Sequence, residues 1–176
     1  MEPLRPLISR QAIRRRVRAL AAQLSRDYEG RSPLFLGVLK GSYVFLADLT
    51  RSMVEPPEVD FIQLSSYGLK GTASDGNVEV CLSPRNELRG RHVVIVEDIV
   101  DSGQTLRFLR DDIARHRPAS LRVCALLLRE SSRDLLNDLV DYVGFAVGEG
   151  WLVGYGLDLS EKYRHLPDLH VVEGTP

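Results

Sequence analysis

The chain has 176 residues, 44% of them hydrophobic, and a formal net charge of −1. That length supports one core and predicts a single domain, and the near-neutral balance removes any bulk electrostatic case for a nucleic-acid or membrane partner. The N-terminus lacks the apolar run of a secretion signal, and no stretch approaches the roughly 18 apolar residues of a membrane span, so a cytoplasmic protein is expected.

Ser9 reads as a helix N-cap, with Ile8 and Ile13 as a hydrophobic staple. Ile13, Val17, Leu20 and Leu24 then mark one helix face, with Gly30 as the stop. Arg14, Arg15, Arg16 and Arg18 fall opposite and read as a solvated face. Residues 33–39 form an expected strand, 42–53 a helix after the Lys40-Gly41 turn, and 59–64 a second strand paired with 78–82. Further on come strand 92–97, helix 104–115, strand 121–128, a short helix near 131–138 and strand 141–146. The tail from Trp151 to Val172 reads as short strands and turns capping the sheet's carboxyl edge. Continuous apolar strands alternating with amphipathic helices predict an α/β fold with a parallel sheet. Cys81 and Cys124 each lie in an apolar run and read as buried, reduced thiols. The four histidines show no paired metal spacing and read as surface or strand-end residues.

Residues 93–106 concentrate the chemistry. The β-branched run from Val93 to Val96 meets Glu97, Asp98 and Asp101, and a Ser-Gly-Gln-Thr turn then opens a helix with Leu106, Leu109 and Ile113 in phase. Backbone N–H groups at such a turn cradle anions. Carboxylates beside a phosphate cradle suit a ligand with both hydroxyls and phosphate, such as a phosphorylated sugar held with a divalent cation. The plainer alternative makes Asp101 or Ser102 the N-cap of that helix, which leaves the acidic pair before it without a role. In parallel sheets ligands sit outside the carboxyl ends of strands, and Lys40-Gly41, Glu97-Asp98 and Arg129 all fall at such ends.

Residues 93–106 closely resemble the phosphoribosyl-pyrophosphate motif of the type I phosphoribosyltransferases, in the form seen in the hypoxanthine-guanine phosphoribosyltransferases. The likeness runs in order along the chain. Residues 37–42 look like that family's pyrophosphate loop, Ser65-Ser66-Tyr67-Gly68 like the start of its lid, 150–158 like its purine-clamping segment and 161–167 like the stretch just after it. The resemblance implies a central, mainly parallel twisted sheet flanked by helices in one domain over 1–176. A small hood would come from about 1–8 and 148–176, and a mobile lid from about 66–77. It implies transfer of 5-phosphoribosyl from phosphoribosyl pyrophosphate to N9 of hypoxanthine or guanine, giving IMP or GMP and pyrophosphate, by a homodimer or homotetramer. Glu97 and Asp98 would hold the ribose hydroxyls and a hydrated Mg²⁺, and Asp158 a second Mg²⁺. Asp101, Ser102, Gly103, Gln104 and Thr105 would wrap the 5′-phosphate, with Asp101 also the general base. Leu39, Lys40, Gly41 and Arg164 would grip pyrophosphate, across an unusual cis peptide in the family's loop. Arg129, Trp151 and Leu152 would bind the purine, with Ser66 and Tyr67 in the lid.

Two positions depart from the family pattern. Arg129 stands where lysine is usual, and its fork is expected to engage O6 and N7 of the base together. Gln104 stands where some relatives carry lysine. Two other readings are an RNA-binding regulator that keeps this fold, for which the arginines at 14–18 would be the support, and a xanthine-preferring transferase. No Gly-x-Gly-x-x-Gly or Walker-type turn points to a dinucleotide or nucleoside-triphosphate enzyme.

Overall fold

The computed structural model describes residues 3–66, 78–136 and 138–174. Two sheets organise the chain. β1 (Leu4–Ile8), β9 (Leu169–Val172) and β8 (Leu152–Val153) form a three-stranded antiparallel sheet. The larger sheet has the order β4 (Val78–Leu82), β3 (Glu58–Ser66), β2 (Leu34–Leu39), β5 (His92–Val100), β6 (Ser120–Arg129), β7 (Tyr142–Val147). All its pairings are parallel except the β3–β4 edge.

Helices cover both faces, which is why the central strands are apolar without interruption. Along β5, Val94 and Val96 point to the layer of α1 (Arg10–Asp27) and α2 (Tyr43–Thr50). Val93 and Ile95 point to that of α3 (Gln104–Arg115) and α4 (Arg133–Leu136). A 3₁₀ turn over Glu130–Ser132 leads into α4. α1 buries Ile13, Val17, Leu20 and Leu24 as its periodicity requires, each such side chain contributing about 1.5–3 kcal/mol. Ser9 caps it, its hydroxyl accepting from the Ala12 N–H, and Ile8 packs on the same cluster as Ile13.

The structure corrects several expectations. α1 ends at Asp27, before Gly30. β5 does not stop at Glu97: Ile99 and Val100 pair with Leu127 and Leu128, so the acidic pair lies inside the strand. Arg16 is not simply solvated, since its guanidinium donates to the Gly144 and Val143 carbonyls at 2.8 and 2.5 Å on the outermost strand β7. Cys124 is buried, but Cys81 is exposed because β4 is the other edge of the sheet. Tail residues Leu152, Tyr155, Leu157 and Leu169 join the α1–α2 core cluster, and the chain between β8 and β9 overhangs the carboxyl ends of the parallel strands.

Candidate functional site

A cavity of about 550 Å³ opens at those strand ends. From the large sheet come Leu39, Lys40 and Gly41 after β2, Gln63 and Leu64 on β3, Asp98 and Ile99 on β5, Asp101 just after it, and Arg129 closing β6. The overhang supplies Trp151, Leu152, Leu157, Asp158, Glu161 and Arg164. Ten of the expected site residues thus meet on one wall. Glu97 is not among the lining residues and precedes Asp98 on β5, and Ser102 to Thr105 form the entry to α3. Ser66 ends β3, while Tyr67 and the rest of the expected lid lie outside the described residues. A larger groove of about 820 Å³ beside α1 and α2, lined by Arg10, Arg14 and Arg18 among others, shares Arg164 but none of the strand-end acids.

Glu97 is 7% exposed, and its carboxyl hydrogen-bonds that of half-buried Asp98. Burial, then the charge of Asp98, pushes the Glu97 pKa well above the carboxylate range. Burial also raises that of Asp98, against the Ile99 N–H that donates to it at 2.8 Å. Between the ordinary carboxylate pKa and these raised values the folded chain holds more protons than the unfolded one, so stability falls as pH rises through that window. Glu97→Gln removes the repulsion at the same shape. The ligand-free variant is expected to gain about 0.5–2 kcal/mol at pH 7 by urea unfolding, with no gain below the carboxylate range; an unchanged midpoint at pH 7 would count against a strained pair.

The turn after β5 resolves the capping alternative. Gly103, at φ +77°, occupies the N-cap of α3 with no side-chain cap, so neither Asp101 nor Ser102 takes that role. Ser102 Oγ accepts only a 3.5 Å contact from the Gln104 N–H, and the Asp101 side chain is 70% exposed. An uncapped helix start beside a glycine turn presents N–H dipoles to an anion.

Arg129 is 8% exposed and mostly committed. Nη1 donates to the Gly148 carbonyl and Nη2 to that of Gly150 at 2.7 Å. Each of these nitrogens spends one of its two N–H groups on a carbonyl, which fixes the plane of the fork. Only Nε lacks a hydrogen-bond partner, and its nearest anion is Asp101 Oδ2 at 3.7 Å. Across the cavity Trp151, 49% exposed, is steadied by its Nε1–H donating to the Asp158 carbonyl at 3.1 Å.

After β2 the Leu39–Lys40 peptide is cis. Gly41 follows because nothing larger fits: a Cβ there would lie 1.6 Å from Asp98 Oδ2. Lys40 Nζ meets Glu161 Oε1 at 3.1 Å, and Arg164 Nη2 meets Asp158 Oδ1 at 2.8 Å. Sequence reasoning missed Glu161, Gln63 and the two glycine carbonyls that hold Arg129. Gln63 was within reach of the strand-end rule; the others depend on contacts between distant segments. Among the described residues no group of three or more His, Cys, Asp or Glu forms a metal cluster. Mg²⁺, however, takes one or two carboxylates and completes its shell with water and substrate oxygens. The crowded Glu97–Asp98 pair fits that donor set.

Comparison with known proteins identifies relatives. The family model described as phosphoribosyl transferase domain matches residues 7–159. The hypoxanthine-guanine phosphoribosyltransferase of Streptococcus pneumoniae is 40% identical over 95% of this chain and 92% of its own length. The bifunctional protein TilS/HprT of Listeria innocua is 41% identical over 95% of this chain, which spans only 26% of that protein. The crystal structure of a hypoxanthine-guanine phosphoribosyltransferase from Bacillus anthracis superimposes with a TM-score of 0.87 at 42% identity, covering 95% of this chain and 97% of that one.

Proposed function

Because this chain belongs to the phosphoribosyl transferase family, we propose that it moves 5-phosphoribosyl from phosphoribosyl pyrophosphate to N9 of hypoxanthine or guanine, yielding IMP or GMP and pyrophosphate. One observation carries the reading: Asp98, Asp101 just ahead of the uncapped start of α3, and Arg129 with Trp151 all line one cavity.

In this reading Glu97 and Asp98 hold the ribose hydroxyls. The turn from Asp101 to Thr105 takes the 5′-phosphate through N–H groups and hydroxyls, and Gln104 adds no charge there. Leu39, Lys40, Gly41 and Arg164 face the pyrophosphate. Departure of pyrophosphate leaves positive charge on the sugar and negative charge on the leaving group; the acids suit the first, and Lys40 and Arg164 offset the second. Mg²⁺, when held by Glu97 and Asp98, would add positive charge against the leaving group. Asp158 is the proposed second ligand position, although its Oδ1 already meets Arg164 and its Oδ2 accepts from the Glu161 N–H at 2.7 Å. Asp101 stands free enough to take a proton from the purine ring. Trp151 stacks on the base, and the Leu152 backbone reads its edge. The lid over 66–77, Ser66 and Tyr67 included, rests on sequence alone. A cytoplasmic homodimer or homotetramer completes the proposal, carried by the family resemblance.

Arg129 gives this reading its test. Nη1 and Nη2 each give one of their two N–H groups to a carbonyl and Nε–H has no partner, so Arg129 has only N–H donors left to bond the base. A 6-oxo group accepts that bond, whereas the amino group of adenine opposes donor to donor and leaves both unpaired. Purified protein with phosphoribosyl pyrophosphate and Mg²⁺ is expected to release pyrophosphate with hypoxanthine and guanine and not with adenine; xanthine in the same assay tests the xanthine-preferring alternative. Turnover of adenine at a comparable rate would overturn the assignment of Arg129, and no turnover with any base would overturn the function.

A further inference from the structure

Lys40 and Arg164 do not face an empty anion site. Glu161 spans them, with Oε1 at 3.1 Å from Lys40 Nζ and Oε2 at 3.4 Å from Arg164 Nη2. The backbone aims this side chain: Ser160 and Glu161 adopt φ of +51° and +63°, in the left-handed region that non-glycine residues avoid. The turn is tied down by the Glu161 N–H donating to Asp158 Oδ2 at 2.7 Å and by the Leu159–Lys162 bridge. Arg164 is anchored independently, with Nη1 donating to the Gly156 carbonyl at 2.8 Å. Its position therefore does not depend on Glu161. Glu161 itself is 66% exposed on the cavity side, so nothing in the packing requires a carboxylate there.

A carboxylate bridging two cations makes the same contacts that one phosphate of pyrophosphate would make. We propose that Glu161 is an internal counterion that competes with pyrophosphate for Lys40 and Arg164, loosening the grip on the leaving group so that it departs after transfer. The inference rests on the functional reading above. It adds a positioning residue that acts on binding and release of the phosphates and not on the base. Incoming phosphoribosyl pyrophosphate swings Glu161 off the two cations, and Glu161 returns as pyrophosphate leaves, so Lys40 is not left bare while Arg164 keeps its 2.8 Å contact with Asp158 throughout.

The test is pyrophosphate binding to Glu161→Gln in the presence of Mg²⁺, measured by calorimetry beside steady-state kinetics. The variant is expected to bind pyrophosphate about two- to fivefold more tightly, the scale of an exposed ion pair. Product inhibition by pyrophosphate should strengthen by the same factor, while KM for hypoxanthine stays unchanged. The gain should shrink as salt rises, because exposed charges are screened. Glu161→Asp, which keeps the charge but is too short to span both cations, should shift in the same direction and decides the matter if the glutamine variant does not fold. Wild-type protein that turns over hypoxanthine while both variants bind pyrophosphate equally or more weakly would overturn the counterion role alone. Wild-type protein that neither binds pyrophosphate nor turns over any base would overturn the functional reading and this inference with it.

Discussion

Asp101→Asn is expected to lower kcat by roughly 10²- to 10⁴-fold, the usual contribution of a positioned general base, while phosphoribosyl-pyrophosphate binding changes little. Asparagine is isosteric but cannot accept a proton from the purine ring. The substitution is also structurally quiet, because the Asp101 side chain is 70% exposed and its one charged neighbour, Arg129 Nε, stands at 3.7 Å. The phosphate cradle beside it depends on Gly103 and the start of α3, which has no capping side chain to lose. Burst and steady-state kinetics with hypoxanthine, set beside equilibrium binding of phosphoribosyl pyrophosphate, separate the two effects. Near-normal turnover would remove Asp101 from the chemistry, and an equal loss in binding would make it a phosphate ligand only.

Gly41→Ala should be as damaging for a steric reason. The new Cβ would lie 1.6 Å from Asp98 Oδ2 and 2.6 Å from its Cγ. Asp98 cannot swing away without giving up the Ile99 N–H bonded at 2.8 Å. Nor can the loop rise freely, since Gly156 packs so closely that a Cβ on it would meet the Gly41 carbonyl at 2.2 Å. Either the carboxylate or the loop must move by more than about 1 Å to relieve that contact, and a displacement of about 1 Å in an active site costs roughly 10²-fold. We expect kcat/KM for phosphoribosyl pyrophosphate to fall by about that factor, with the helices and sheet intact by circular dichroism. Wild-type kinetics in this variant would mean that the loop and Asp98 are not held together when substrate is bound.

Local signals carried a great deal. The alternation of apolar strands with amphipathic helices was legible because period and run length follow from which faces are buried, and α1 with its Ser9 cap is a direct example. The polar positions Lys40, Asp98 and Arg129 were legible for the same reason: where an apolar run turns polar, the chain meets the cavity. Boundaries were less so. The acids at 97 and 98 look like a strand terminus, yet the ladder with β6 carries β5 on to Val100, since pairing with Leu127 and Leu128 outweighs the local change in polarity. Cys81 sits in an apolar run, but whether such a run is covered depends on its place in the sheet, and β4 is an edge.

The sequence by itself determined the class of fold, the order of the segments that line the cavity and the residue types they bring to it, because these depend on short-range periodicity and on residues adjacent in the chain. Only the tertiary structure decided that the Arg129 fork is held by the carbonyls of Gly148 and Gly150, that Arg16 serves the outermost strand, and that Glu161 lies between Lys40 and Arg164. Apart from the Glu161–Arg164 pair, three positions apart, those contacts join segments separated by about 20 to 130 positions, at distances set by how helices and sheets pack. Periodicity carries no record of such distances, and a guanidinium or carboxylate has the same symbol in the chain whether its donors are free or taken.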